Sequence, residues 1–230
     1  MSQIDFPDPL TYDYPSWMII GQFMYPAGGI VHFGGRLTAE NVVRAYRMGI
    51  FPWYTEGIPL PWHCPDLRAI IEFDELRISR SLAKIRRGSE LRFTIDQDFP
   101  AVIRECKRAF RPGQQGTWIT PDFVRVYTEL HLAGIAHSVE AWDAEDNLVG
   151  GLYGIDAGGV FCGESMFYKS PNASKLALLH LIDHLSDRGS NWLDAQVMTP
   201  HMQALGAIDI DREDFLDKLK ATQLQNLTIF

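Results

Sequence analysis

Apolar side chains recur at helical spacing in four stretches of the chain, each with residues suited to begin or end a helix. In the first stretch, Val42, Val43 and Tyr46 share one helical face. Thr38 stands before them, where its side chain can cap the amino end, and Gly49 follows as a residue that tolerates left-handed backbone. The same features predict helices over residues 38–48, 100–110, 121–133 and 172–189, with Thr120 and Asn172 as further caps.

Three short apolar runs between residues 136 and 167 are instead typical of strands. The segments AHSVEAWD, LVGGLYGID and VFCGESMF are separated by the turn sequences AEDN and AGG. Because tight turns join antiparallel neighbours, these segments predict an antiparallel meander, and NWLDAQ predicts a strand after the 172–189 helix. The order of meander, helix and strand resembles the core of GNAT-type acyltransferases. We therefore predict an α+β fold with a mixed, mainly antiparallel sheet.

The segment RISRSLAKIRRG combines helical apolar spacing with positive charge. Ile78, Leu82 and Ile85 recur at helical intervals. The other positions carry five basic side chains, which are Arg77, Arg80, Lys84, Arg86 and Arg87. Residues 68–111 hold eleven basic and seven acidic side chains, whereas the whole chain has a formal net charge of -8. This asymmetry is compatible with a basic surface for an anionic ligand, and a solvated surface strip explains it equally well.

Composition places the chain among globular proteins. Hydrophobic residues make up 46% of the 230 residues and charged residues 22%. No apolar run reaches the roughly 18 to 20 residues of a membrane span, and the opening residues lack a secretory leader, so we expect a cytoplasmic protein. Cys64, Cys106 and Cys162 are widely dispersed, which predicts free thiols in a reducing compartment.

Motifs for two common chemistries are absent from the sequence. There is no GxxxxGKS/T phosphate loop, and the glycines near Gly150 and Gly158 do not form a dinucleotide-binding fingerprint. His63 and Cys64 are adjacent, but no CxxC pair or HExxH motif accompanies them. We therefore expect neither nucleotide hydrolysis nor a metal site.

Polar side chains interrupt two of the predicted strands. Glu164 lies within GESMF, and Asp194 and Gln196 lie within LDAQ. Because alternate residues of a strand point the same way, Asp194 and Gln196 are predicted to share one face. A buried carboxylate is costly without hydrogen bonds, so Glu164 and Asp194 need structural partners or a function. The residues by themselves leave both explanations open.

Two tryptophans lie beside glycine and proline rather than within a helical repeat. They are Trp53 in IFPWY and Trp118 in GTWIT. Such side chains can stack on a nucleic-acid base, and they can equally belong to a core or an interface.

Ten segments taken together resemble the leucyl/phenylalanyl-tRNA-protein transferase family. They occur in the family's order between residues 28 and 215. The segments are GRLTAENVVRAYRMGIFPW, PLPWHCPDLRAII, ISRSL, GTWIT, AHSVEAW, LVGGLYGI, FCGESMF, NASK, DAQ and HMQALGA. The chain departs from the family in having WHCP for WWSP, ALGA for SLGA and an unusual opening FPDPLTYDYPSWMIIGQF, differences that would act on docking or selectivity.

The resemblance implies a small N-terminal domain over residues 1–67 and a GNAT-like transferase domain over residues 68–230. It implies an aminoacyltransferase that moves leucine, phenylalanine and, less readily, methionine from aminoacyl-tRNA to proteins beginning with arginine or lysine, which marks them for degradation. The partners would be leucyl- and phenylalanyl-tRNA and such acceptor proteins. No cofactor is implied, because the tRNA ester already carries an activated acyl group. The resemblance implies no membrane partner either.

The resemblance also assigns roles to particular residues. Glu164, Asp194 and Gln196 match the catalytic cluster, in which we expect Gln196, oriented by Asp194, to hold the attacking amine. Trp53 and Trp118 would flank the terminal adenosine. The apolar pocket for the amino-acid side chain would consist of Leu152, Phe161, Met166, Leu181, Leu185 and Leu193. Candidates for contact with the tRNA backbone are Arg77, Arg80, Lys84, Arg86 and Arg87.

Two other functions fit parts of the pattern. The GNAT-like order alone suggests an acyl-CoA-dependent N-acetyltransferase, although MFYKSPNASK stands where such enzymes carry a Q/RxxGxG/A pyrophosphate-binding turn. A non-catalytic tRNA-binding module could use the tryptophans and the basic segment without any chemistry at Glu164, Asp194 or Gln196.

Overall fold

A seven-stranded mixed sheet forms the centre of the fold, and two small antiparallel sheets precede it in the chain. The computed structural model describes residues 3–12, 17–20, 23–26, 28–109 and 117–230. The small sheets consist of β1 (Trp17–Ile20) with β2 (Phe23–Pro26), and of β3 (Ile30–Phe33), β4 (Phe51–Pro52) and β5 (Pro61–His63). The large sheet consists of β6 (Leu67–Glu72), β7 (Arg92–Ile95), β8 (Ala136–Trp142), β9 (Leu148–Asp156), β10 (Phe161–Tyr168), β11 (Trp192–Gln196) and β12 (Ile208–Asp211).

The large sheet has the strand order β12, β6, β11, β10, β9, β8, β7. Strands β8 to β10 form the predicted antiparallel meander, in which Leu152 of β9 pairs with Val139 on one side and Met166 on the other. Strand β11 runs parallel to β10 and antiparallel to β6. Because the other pairs of the described sheet are antiparallel, the predicted α+β class with a mixed, mainly antiparallel sheet is confirmed.

Helices occupy the stretches where apolar spacing predicted them. Phe110, the last residue of the predicted 100–110 helix, lies outside the described residues. The helices of the described chain are α1 (Ala39–Arg47), α2 (Arg80–Arg87), α3 (Phe99–Arg108), α4 (Pro121–Leu132), α5 (Ala173–Ser186), α6 (Pro200–Ala204) and α7 (Arg212–Gln223).

Two of the three predicted helix caps are present. The side chains of Thr38 and Thr120 accept hydrogen bonds from backbone N–H groups in the first turns of α1 and α4. The prediction for Asn172 is wrong, because its backbone is left-handed, with φ of 64°, and its side chain makes no capping hydrogen bond. Asparagine tolerates this conformation better than most residues, so Asn172 serves the turn that leads into α5.

The large sheet separates two hydrophobic clusters. Neighbouring residues of β6 illustrate this, since Ile70 belongs to the first cluster and Ile71 to the second. The first cluster includes buried residues of α1, α3, α4 and α7, namely Val42, Ile103, Val126 and Phe215. The second is built largely from α5, through Leu178, Leu181, Ile182 and Leu185. The sheet therefore lies between one layer of several helices and a layer dominated by α5.

Residues that precede β6 share the first hydrophobic cluster with residues that follow it. Val42 of α1 and Trp62 of β5 are fully buried in the same cluster as Phe99 and Tyr153. The predicted domain boundary at Leu67 falls on the first residue of β6 and stays a prediction.

Two further findings concern the predictions made from composition. Cys64, Cys106 and Cys162 are buried and none of them takes part in a disulfide bond, which confirms the prediction of thiols rather than disulfides. Within the described ranges, no helix has the length and apolar character needed to cross a membrane.

Gly49 and Gly134 offer a matched test of packing around α1. Each lies two residues after the last residue of a helix and has a positive φ, 74° for Gly49 and 71° for Gly134. A Cβ atom at Gly49 would lie 2.9 Å from Phe215 Cε1 and 2.5 Å from Leu216 Cδ2, whereas none of the described atoms lies within 4 Å of a Cβ at Gly134.

We expect Gly134→Ala to lower the free energy of unfolding by about 1–2 kcal/mol through its left-handed backbone alone. Gly49→Ala should lose about 1–3 kcal/mol more, because α7 must move to admit the methyl group. Urea denaturation of both variants measures the difference. Equal losses would contradict close packing between the end of α1 and α7.

Candidate active site

A cavity of about 410 Å³ lies where the parallel strands β10 and β11 diverge. The two strands pair at Cys162 and Asp194. Beyond that pair, β10 is irregular between Gly163 and Ser165, and β11 is irregular between Asp194 and Gln196. Such irregularities bend strands and redirect side chains, and they are common beside active sites. Residues that follow the pair in both strands line the cavity, among them Glu164, Ser165, Met166, Ala195, Gln196 and Val197.

A buried ion pair connects strands β6 and β11 next to the cavity. Arg68 of β6 donates from Nε to Asp194 Oδ1 at 2.9 Å and from Nη2 to Oδ2 at 2.7 Å. The arginine is 1% exposed and the aspartate is fully buried. The guanidinium carbon also lies 4.6 Å from the ring centroid of Phe51 and 4.4 Å from that of Phe215. Bidentate geometry and aromatic contact together compensate for the burial of the two charges.

Asp194 orients the backbone of Gln196 rather than its side chain. The Gln196 N–H donates to Asp194 Oδ1 at 2.8 Å, and Gln196 has a left-handed φ of 63°. The prediction that the two side chains share one strand face is confirmed despite the irregular pairing, because their partners Arg68 and Glu164 both contact residues of the first hydrophobic cluster, whereas Leu193 and Ala195 pack in the second. The Gln196 side chain lines the cavity, whereas the carboxylate of Asp194 faces Arg68.

Glu164 is the centre of a hydrogen-bonded group that joins three elements. The phenol of Tyr46, from α1, donates to Glu164 Oε1, and the phenol of Tyr127, from α4, donates to Oε2 at 3.1 Å. Gln196 Nε2 donates to Glu164 Oε1 at 2.6 Å. The two phenol oxygens are also 2.9 Å apart, but each phenol has one proton, so two tyrosines that both donate to an ionised Glu164 have none left to donate to each other. Since its Nε2 faces a carboxylate, the amide of Gln196 turns its own oxygen away from Glu164.

The surroundings of Glu164 shift its protonation toward neutral pH. Burial raises the pKa of the carboxyl group to about 7, although hydrogen bonds from Tyr46, Gln196 and Tyr127 act in the opposite direction. Burial also raises the pKa values of Tyr46 and Tyr127 well above the ordinary range. The tyrosines therefore keep their protons at neutral pH and act as donors to the carboxylate.

Trp53 and Trp118 border the same cavity. Their ring centroids are 6.3 Å apart with an angle of 49° between the rings. Trp53 is 37% exposed and Trp118 is partly buried. The two indoles, which come from residues on opposite sides of β6 in the chain, thus form one aromatic border to a cavity that also contains Glu164 and Gln196.

The apolar wall of the cavity includes four of the six predicted pocket residues. Leu152, Phe161, Met166 and Leu193 line it. Leu181 and Leu185 do not, since they lie fully buried in the second hydrophobic cluster. Leu178, one helical turn before Leu181 on α5, takes a place in the wall instead. Helical spacing alone could not say which face of the buried α5 meets the cavity.

The five predicted basic residues are exposed on α2 and the segment before it. Arg86 forms an ion pair with Asp183 of α5. The backbone N–H of Arg77 donates to the carbonyl of Leu205 at 2.9 Å, directly after α6. Because His201 and Met202 of α6 line the cavity, this bond connects the basic segment to the cavity wall.

Sequence reasoning missed three residues of this site. Tyr46 and Tyr127 lie on the apolar faces of predicted helices, and a tyrosine at such a position cannot be distinguished by sequence from an ordinary core residue. Arg68 entered the sequence analysis only as the first residue of the basic region 68–111. Its position directly before the apolar residues of β6 could have indicated a charged side chain within a buried strand. The described residues contain no group of three potential metal ligands, and the expected absence of a metal stays a prediction.

The comparisons with known proteins identify one family. A family model described as leucyl/phenylalanyl-tRNA protein transferase matches residues 70–220. A second model, described as the N-terminal domain of the same protein, matches residues 35–66. Together the two models cover both the aromatic border and the polar group of the cavity.

Similar proteins carry the same name. The chain is 46% identical over 191 residues to the leucyl/phenylalanyl-tRNA–protein transferase of Maridesulfovibrio salexigens, covering 83% of this chain and 80% of that one. It is 47% identical over 193 residues to the protein of that name from Flavobacterium johnsoniae, covering 84% and 91%. A solved structure of L-PGS from Bacillus licheniformis is similar with a TM-score of 0.40 and 16% identity, over 59% of this chain and 47% of that one.

The buried pair of Arg68 and Asp194 should be strongly coupled. We expect Arg68→Met and Asp194→Asn each to lower the free energy of unfolding by about 3–5 kcal/mol, because each leaves a buried charge without its partner. The double variant should lose clearly less than the sum of the two single losses. Chemical denaturation of the four proteins in a double-mutant cycle measures the coupling.

The exposed pair of Arg92 and Asp146 is the control for this cycle. Its side chains are 47% and 78% exposed, so Arg92→Met and Asp146→Asn should each change the free energy of unfolding by less than about 1 kcal/mol. Additive losses at Arg68 and Asp194 would show that the buried pair does not act as a unit.

Proposed function

Because the chain belongs to the leucyl/phenylalanyl-tRNA protein transferase family, we propose that it transfers leucine or phenylalanine, and methionine less readily, from aminoacyl-tRNA to acceptor proteins. The acceptors would begin with arginine or lysine, and the product would enter an N-degron pathway in the cytoplasm. The observation that carries the proposal is the lining of the cavity. It combines an aromatic border, an apolar wall and a polar pair, which consists of Glu164 and Gln196.

The aromatic border suits the terminal adenosine of the tRNA. Trp53 and Trp118 offer π faces at the edge of the cavity, and stacking on such faces contributes about 1–3 kcal/mol per base. Stacking tolerates any tRNA body, because the terminal adenosine is common to all tRNAs. The aminoacyl ester attached to that adenosine would then extend toward Glu164 and Gln196.

The apolar wall suits the side chain of the transferred amino acid. Leu152, Phe161, Met166, Leu178 and Leu193 present hydrocarbon and aromatic surface. A charged side chain would lose its hydration there without gaining a partner. Similar apolar side chains differ by only about 1–3 kcal/mol per methylene group, which accounts for the use of both leucine and phenylalanine as donors.

The polar pair suits the attacking amine. The Gln196 oxygen is available as an acceptor because Nε2 is engaged by Glu164. The amine nitrogen would form a bond to the ester carbonyl carbon while the bond to the ribose oxygen breaks. Holding the amine beside the ester supplies much of the acceleration, since alignment of reactants is worth several kcal/mol. Arg68 and Asp194 act as positioning residues through the backbone of Gln196.

The basic surface suits the acceptor stem of the tRNA. Phosphate groups favour Lys and Arg side chains, and these contacts require no particular base sequence. The surface consists of Arg77, Arg80, Lys84, Arg86 and Arg87. Its connection to α6 through Arg77 would allow one molecule to occupy the surface and the cavity together.

A direct transfer assay tests the proposal. Purified protein is incubated with radiolabelled leucyl-tRNA or phenylalanyl-tRNA and a peptide that begins with arginine, and an acetylated copy of the peptide serves as control. We expect label on the free peptide alone. No label with either donor, from folded protein, would contradict the proposal and favour a binding module. Thermal stabilisation by coenzyme A but not by an aminoacyl-adenosine analogue would instead favour an acyl-CoA-dependent enzyme.

Trp53→Ala should raise the KM for the aminoacyl donor by about 5- to 150-fold, the equivalent of 1–3 kcal/mol of lost stacking. The matched control is Trp17→Ala, which removes an indole that is 59% exposed on β1 and is not among the residues that line the cavity. Steady-state kinetics with phenylalanyl-adenosine as donor measure both variants. A KM within twofold of the parent protein for Trp53→Ala would exclude adenine stacking at this residue.

A further inference from the structure

The two carboxylate oxygens of Glu164 differ in the number of hydrogen bonds they accept. Each carboxylate oxygen has about two acceptor positions. Oε1 accepts from the Tyr46 phenol and from Gln196 Nε2, which fills both. Oε2 accepts from Tyr127 alone among the described residues. One acceptor position therefore remains on Oε2 of a carboxylate that lines the cavity.

We propose that Glu164 is the base of the transfer and that its Oε2 atom takes the proton of the attacking amine. The inference rests on the proposed function and adds the route of the proton. The Gln196 amide, bonded to Oε1 through Nε2, sits directly beside this carboxylate. Both side chains line the same cavity, so an amine that enters it beside Gln196 would be able to reach the open position on Oε2.

Glu164 takes up one proton during the transfer and returns it within the same reaction. The uncharged amine attacks the ester carbonyl carbon, and the carbon–nitrogen bond forms. Nitrogen then gives one proton to Glu164 Oε2. The carbon–oxygen bond to the ribose breaks, and the departing ribose oxygen takes that proton from the Glu164 carboxyl group. The products are an amide and a free ribose hydroxyl, and the carboxylate is restored. An amine that arrives as an ammonium ion first loses its additional proton to solvent.

Tyr46 and Tyr127 give this carboxylate the properties that a base needs. Their fully buried phenols contact opposite oxygens of Glu164 as donors, which fixes the rotation of the carboxyl group. As donors they favour the ionised form, whereas burial favours the neutral form. The resulting pKa of about 7 places Glu164 where a general base is efficient at neutral pH.

Charged and titratable groups from several elements lie near Glu164. Tyr46 faces it from α1, Tyr127 from α4, and Cys162 lies two residues before it in β10. Asp194 of β11 raises the pKa of Glu164, and Arg68 of β6 is paired with Asp194. Burial raises the pKa values of Tyr46, Tyr127 and Cys162 well above their ordinary range, so these three groups keep their protons between pH 6 and 8.

The pH dependence of kcat/KM tests the proposal. The donor is phenylalanyl-adenosine and the acceptor is a peptide that begins with arginine. For the parent protein we expect activity to fall as the pH decreases through about 7, because protonated Glu164 cannot accept a proton. Glu164→Gln should lose about 10²- to 10⁴-fold in kcat and should lack the step near pH 7. The step caused by the amine, near pH 8, should remain.

Tyr127→Phe is the second variant, and it keeps Glu164 in place. Removal of one donor to the carboxylate should raise the pKa of Glu164 and move the step to higher pH. The matched control is Tyr168→Phe on the same strand as Glu164, since Tyr168 is 68% exposed and lies outside the cavity. Its profile should equal that of the parent protein.

Three results would overturn the inference. The first is a Glu164→Gln variant with kcat within threefold of the parent. The second is a step near pH 7 that persists in Glu164→Gln. The third is a rise in KM for the arginine peptide with unchanged kcat, which would make Glu164 a recognition group for the acceptor's cationic side chain. A parent protein that transfers nothing from either donor would instead reject the proposed function itself.

Discussion

Arg68 and Asp194 form a buried pair of full charges between two strands of the large sheet, and the guanidinium of Arg68 lies over the rings of Phe51 and Phe215. Neither charge is tolerable there without the other, so β6 and β11 are held at one relative position. The same aspartate accepts the backbone N–H of Gln196, which stabilises the left-handed backbone and the bulge at that residue. The direction of the Gln196 side chain, and with it the polar part of the cavity, thus depends on an ion pair that does not reach the cavity.

The cavity exists because regular pairing of the adjacent strands β10 and β11 ends at the same position in both strands. Strands β10 and β11 pair at Cys162 and Asp194 and then diverge. The carboxyl group of Glu164 would have only the Gln196 amide as a partner among the described residues if tyrosines from α1 and α4 did not reach it. Residues before and after β6 therefore contribute to one polar group, and the first hydrophobic cluster unites the same two parts of the chain.

Local features of the sequence were sufficient for most of the fold. Helices α1 and α4 carry threonine caps and apolar faces within a single segment, and the β8 to β10 meander has its turn residues between its strands. The sequence also drew attention to Glu164, Gln196, Trp53 and Trp118, because polar or aromatic groups interrupt otherwise regular patterns, but only the family resemblance gave these residues expected roles. Asn172 shows the limit, since one residue type suits both a helix cap and a left-handed turn.

The sequence by itself determined the secondary structure, the sheet class and the family, because these depend on spacing along the chain. Only the tertiary structure decided which residues meet. It joined Tyr46, Tyr127 and Gln196 to Glu164, paired Arg68 with Asp194, and placed Leu178 rather than Leu181 at the cavity wall. These contacts connect residues far apart in sequence through bulges and helix packing, and periodicity carries no information about either.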